Sequence, residues 1–98
     1  MRLLIIGVLE GHFSTASRIA LDRGAKVLQS DTIESGLDVI RSGAGADVVM
    51  VDVRQDVASL IQSLKSERIA IPVVACGIGN DTRAAVAAIR AGAKEYLP

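Results

Sequence analysis

A three-layer α/β fold, with helices on both faces of a five-stranded parallel sheet, is what this sequence predicts. Three observations carry that prediction. Short apolar runs alternate with amphipathic stretches along the whole chain. The runs are continuously apolar rather than alternating, as strands covered on both faces must be. Ninety-eight residues, half of them apolar, suffice for one modest core and one domain spanning 1–98.

Taken in order, Leu3 to Ile6 form the first strand and Gly7 ends it. Phe13, Ala16, Ile19 and Ala20 then recur at helical spacing up to Asp22, and Gly24 supplies the stop. Val27-Leu28 opens a second strand. Asp31 followed by Glu34 reads as a capping box, with aspartate in the Ser/Thr place, for a helix bearing Ile33, Leu37 and Ile40 on one face. Ser42-Gly-Ala-Gly45 closes that helix, and Asp47 to Val53 is the third strand. Val57, Leu60, Ile61 and Leu64 follow at i, i+3, i+4, i+7, an amphipathic third helix. Pro72 introduces a fourth strand, Val73 to Cys76. Asn80 or Asp81 caps a fourth, alanine-rich helix that Gly92 terminates, and Glu95-Tyr-Leu97 is a fifth strand. Right-handed βαβ units of this kind give the flavodoxin-like strand order 2-1-3-4-5. The chain stops at Pro98, where such folds add a covering helix, so a continuation into a longer protein is expected.

Composition excludes several classes of function. Eleven basic residues balance eleven acidic ones with no basic cluster, so no contact with nucleic acid is expected of this domain. The run Leu3–Ile6 is too short for a signal peptide or membrane span. A lone Cys76 in an apolar run cannot build a disulfide framework and fits a reducing cytoplasm. Cys76 has no neighbouring His or basic residue to activate it, so it is not a candidate nucleophile. Gly7 and Gly11 do not complete a G-x-G-x-x-G fingerprint. Glu10-Gly-His12 approaches the Asp-x-His-x-x-Gly pattern of cobalamin domains, but Glu replaces Asp and Thr15 replaces Gly, so no cofactor is expected there.

Function in an open α/β sheet gathers at the carboxyl ends of the strands. Here those ends carry Gly7-Val-Leu-Glu10, Asp52-Val-Arg54, Gly77-Ile-Gly-Asn80 and Leu97-Pro98. Asp52 is the one acid that closes an apolar strand, and a carboxylate there must be solvated or paired. Arg54, two residues on, is the candidate partner.

Asp47-Val-Val-Met-Val-Asp52, Pro72-Val-Val and Gly92-Ala-Lys-Glu-Tyr-Leu-Pro98 together resemble a two-component response-regulator receiver domain, whose fold is CheY-like. The resemblance covers the whole chain and is nearest to receivers of sigma-54-dependent activators of the NtrC type, in particular flagellar ones. It implies that Asp52 occupies the phosphoacceptor position and that Tyr96 is the switch aromatic. It also implies a non-enzymatic domain that regulates an AAA+ output module of the same polypeptide, with a flagellar-assembly regulatory protein as partner.

The other parts of the family's phosphorylation site are replaced. The acidic pair falls on Gly7 and Val8, the hydroxyl position on Gly77, and the lysine would follow Pro98. Mg²⁺ is therefore not expected to bind. The reading is an atypical receiver working without phosphorylation; a working phosphoacceptor at Asp52 is the alternative. The fourth helix either packs closely on the sheet through its small residues or presents a partner or dimer surface made of Arg83, Ala84, Ala87, Ala88, Arg90 and Ala91. With no fifth helix, apolar sheet near strands one and five should be uncovered, and self-association to a homodimer is expected.

Overall fold

The computed structural model describes residues 1–8, 11–43, 45–77 and 82–97, without the side chains of His12, Thr82 and Tyr96. Strands and helices alternate as β1 (Arg2–Ile6), α1 (His12–Asp22), β2 (Lys26–Ser30), α2 (Ile33–Arg41), β3 (Val48–Asp52), α3 (Val57–Ser66), β4 (Val73–Cys76), α4 (Thr82–Ala91) and β5 (Glu95–Leu97). All strand pairs are parallel and the sheet order is β2-β1-β3-β4-β5, as expected. β2 runs longer than Val27-Leu28, because an edge strand tolerates the polar Lys26 and Gln29 that hid its ends in the sequence. β3 is shorter than expected and stops at Asp52.

The period-two alternation of each strand divides the core in two. Leu4, Ile6, Val49, Val51, Val73 and Ala75 point to one face, where Leu37 and Ile40 of α2, Leu60, Ile61 and Leu64 of α3, and Ala88 of α4 cover them. Leu3, Ile5, Met50 and Cys76 point to the other face and pack on Phe13 of α1. The residues in β1 are fully covered there, contrary to the expectation of bare sheet near strand one. What remains open is further along: Val74 is half-buried, and Leu97, in register with Cys76, is 38% exposed. Ile19, expected on the buried stripe of α1, is 50% exposed, on the flank of the line drawn by Phe13, Ala16 and Ala20.

Helix ends follow local chemistry. Thr32, not Asp31, caps α2: its Oγ1 accepts the Ser35 N–H at 3.1 Å. Asp31 is occupied elsewhere, accepting from Gln29 Nε2 at 2.9 Å. Asp56 Oδ1 caps α3 by accepting the Ser59 N–H at 3.0 Å. Gly92 takes φ +115°, and the Ala93 N–H returns to the Ala88 carbonyl at 3.0 Å, closing α4. The expected cap of α4 at Asn80 or Asp81 lies outside the described residues.

Candidate functional site

Three hydrogen bonds carry the parallel ladder past the strand ends and align the site along one edge of the sheet. The Gly7 N–H donates to Ser30 O (2.8 Å), the Val53 N–H to Cys76 O (2.9 Å) and the Gly77 N–H to Leu97 O (2.7 Å). Gly7, Asp52 and Gly77 therefore stand at neighbouring strand ends, as the sequence placed them.

Asp52 is 6% exposed, and Arg54 satisfies its carboxylate. The Arg54 backbone N–H donates to Oδ1 at 2.9 Å; Nε lies 3.0 Å from Oδ1 and 2.9 Å from Oδ2; Nη2 donates to Oδ2 at 2.5 Å. The reach of two residues suits this pairing, because the turn after β3 bends the backbone back over the strand end. Burial by itself pushes the Asp52 carboxyl up, but the side-chain and backbone hydrogen bonds from Arg54, helped by its charge, hold it below the usual carboxylate range. The expected pair is formed, and it places a monovalent cation on the carboxylate.

The space beside Gly7 is filled. Gly7 has φ +147°, and a Cβ built on it would lie 2.8 Å from Phe13 Cε2 and 3.1 Å from Asp52 Cβ. The Phe13 ring, 5% exposed, thus closes the side of Asp52 toward which a position-7 side chain would extend. The Gly7 carbonyl accepts from Gln29 Nε2 at 2.6 Å. The same amide reaches Asp31, and Gln55 Nε2 donates to Asp31 O at 2.9 Å, so β1, β2 and the turn after β3 are tied together. Val8 is 56% exposed and has no oxygen in its side chain to offer. Among the described residues, no group of three or more His, Cys, Asp or Glu side chains could hold a metal ion.

The sequence singled out Asp52, Arg54 and Gly7; it did not single out Phe13 or Gln29. The one signal for Phe13 was its position as the only phenylalanine, in the first turn of a helix facing a glycine. Tyr96 pairs in register with Ala75, and its side chain lies outside the described residues, as do Glu10, Asn80, Asp81 and Pro98. Cys76, beside Asp52 in the register, is buried; desolvation first, and the Asp52 charge second, push its thiol up to about 11.

The expected surface on α4 separates into two. Ala88 is 4% exposed and belongs to the core, so it is not part of an outer face. Ala84, Ala87, Ala88 and Ala91 nevertheless all turn toward α3 and, with Val53, Gln55, Asp56, Val57 and Ala58, line a groove of about 210 Å³. Arg83, Val86, Ile89 and Arg90 are exposed.

The fold is the one shared by response-regulator receiver domains. Over all 98 residues the chain is 47% identical to the transcriptional regulatory protein FlbD of Caulobacter vibrioides, and it spans 22% of that protein's length. Among solved structures, the receiver domain of NtrX from Brucella abortus superposes with a TM-score of 0.79 at 22% identity, over 99% of this chain and 83% of that one. A response regulator from Chloroflexus aurantiacus gives 0.77 at 23% identity, over 98% and 82%. No family model matches. None of the helices described here is long and apolar enough to cross a membrane.

Proposed function

We propose that this domain is an atypical receiver that regulates a sigma-54-dependent activator of flagellar genes through protein–protein contacts, without phosphorylation of Asp52. One observation carries the reading: the carboxylate of Asp52 is already held by Arg54, and the Phe13 ring lies where a side chain at position 7 would extend. Phosphoryl transfer from a donor needs Mg²⁺ to bridge acceptor and phosphoryl oxygens. Mg²⁺ demands near-octahedral oxygen ligation and normally takes one or two carboxylates in addition to phosphate. Asp52 alone, with a guanidinium already on it, does not fit that ion. The output is an AAA+ module of the same polypeptide, and the input is a flagellar-assembly regulatory protein in the cytoplasm.

Amide NMR of the chain with Mg²⁺ and then beryllofluoride tests this. The expected result is a spectrum unchanged at Asp52, Val53 and Gly77. Saturable shifts centred on Asp52 and reaching Tyr96 would establish a working phosphoacceptor and overturn the proposal.

A further inference from the structure

The groove between α3 and α4 has a shape and a charge of its own. Its floor is apolar and its walls are short: Ala58 on one side, Ala84, Ala87 and Ala91 on the other, with Val53 and Val57 at one end. Short walls let a third helix bring its backbone close, as ridges into grooves require. The volume, about 210 Å³, lies below the roughly 300–1,000 Å³ of small-molecule pockets and suits a few inserted aliphatic side chains. Val86 and Ile89, 44% and 48% exposed, extend the apolar surface along α4 beyond the groove.

The rim is basic although the whole chain is neutral. Arg83 and Arg90, seven residues apart, stand at the two ends of one line along α4. Arg54 is not counted among these charges, since its guanidinium is paired with Asp52. Lys65 reaches over the far end, its Nζ 3.7 Å from a Cβ built on Gly92, and Lys94 follows in the loop leaving α4. Against these stand the carboxylate of Asp56, which lines the groove and keeps its charge while one oxygen caps α3, and Glu95 at the start of β5. Acidic side chains are instead exposed on α2, at Glu34 and Asp38.

We propose that this groove docks an amphipathic helix of another protein, with small or aliphatic residues on its inserted face and acidic residues on its flanks. The proposal rests on the regulatory reading above and specifies its contact. A second copy of this chain fits less well. An antiparallel two-fold pairing of α4 with itself would bring Arg83 of one copy toward Arg90 of the other, a like-charge contact. The acidic α2 exposes Glu34, Ser35, Asp38 and Arg41 and offers no exposed apolar residue to insert.

The test is an amide NMR titration of the labelled chain with two designed helical peptides of about 20 residues, long enough to be helical in water. Both carry a Leu/Ala stripe; one has Glu on the flanks, the other Lys. The Glu peptide should shift the amides of Val53, Ala58, Ala84, Ala87 and Ala91, and bind roughly tenfold more tightly than the Lys peptide. Arg83→Glu with Arg90→Glu, both at exposed positions, should weaken the Glu peptide roughly tenfold and remove that preference. Ala87→Glu, also exposed, should block both. Equal binding of the two peptides, shifts outside the groove, or no groove shifts at millimolar peptide would overturn the proposal. So would self-association through the same amides without peptide. Adding Mg²⁺ and beryllofluoride to the same sample reads the phosphorylation question separately, since its shifts would centre on Asp52.

Discussion

Breaking the Asp52–Arg54 pair from its two sides should have unequal effects. Arg54→Ala leaves a carboxylate that is 6% exposed with the residue-54 N–H as its remaining partner from Arg54. Hydrogen bonds to a charged group contribute about 1.5–3 kcal/mol, and stripping one partner from a fully buried pair costs about 3–5 kcal/mol. The Arg54 head is 57% exposed, so water takes part of its place and the low end applies, about 1.5 kcal/mol. For a domain of this size that lowers the melting temperature by about 6–12 °C. Asp52→Asn removes the buried charge, keeps the shape, and releases the Arg54 head to solvent, so its cost should stay below about 1 kcal/mol.

The pH dependence has a definite sign. In the parent chain the Asp52 carboxyl sits below its ordinary value, so its contribution is present above the unfolded-state pKa and is lost as pH falls through the lower folded one. In Arg54→Ala, burial is no longer outweighed and the carboxyl rises above its ordinary value. Its effect then reverses: the deficit at neutral pH shrinks as pH falls and the carboxyl protonates. Urea melts of the three proteins at neutral pH and near pH 4.5 measure both effects. If Asp52→Asn costs as much as Arg54→Ala, or the Arg54→Ala deficit grows on acidification, the pair is not what stabilises the buried carboxylate.

Three further expectations follow from particular contacts. Gly7→Asp, which introduces an acid at that position, should destabilise the chain by about 2–3 kcal/mol and yield no Mg²⁺ binding by calorimetry, because its Cβ meets the Phe13 ring at 2.8 Å on a backbone at φ +147°. Gly36→Ala, despite better helix propensity, should lose about 1–2 kcal/mol in urea melts, since its Cβ would lie 2.6 Å from Ile6 Cδ1; adding Ile6→Val should recover part of that loss. The Cys76 thiol, pushed up to about 11 and buried, should react with Ellman's reagent at pH 7.5 far more slowly than a free thiol, and at the free rate once urea unfolds the chain.

The sheet was legible because β1, β3 and β4 are buried on both faces and their apolar runs are unbroken. β2 was legible only at its centre, where Val27 and Leu28 stand between the polar residues an edge strand accepts. The start of α2 slipped by one residue, since both Asp31 and Thr32 can cap and only their surroundings decide: Gln29 engages the first and leaves the second to accept from Ser35. At the site, a spacing of two residues identified the Asp52–Arg54 pair. The Phe13 ring against Gly7 is a tertiary contact between the residue after β1 and the first turn of α1, and no local pattern encodes it. The burial of Ala88 was not legible because alanine is equally at home in a core, in a groove or in water. Ala88 and Ala87, adjacent in sequence, are 4% exposed and exposed respectively.

The arginine bound to Asp52 also bears on time. A phosphorylated acceptor carries its own timer, because the acyl phosphate hydrolyses and the signal decays at a rate set by that chemistry. Under the proposed function, a carboxylate neutralised by a residue of the same chain has nothing to hydrolyse and does not draw on the supply of phosphodonor or magnesium. On the proposed reading, the duration of this domain's signal is then a residence time, set by how quickly its partner leaves, and it would be adjusted by contacts on a surface rather than by the reactivity of a bond.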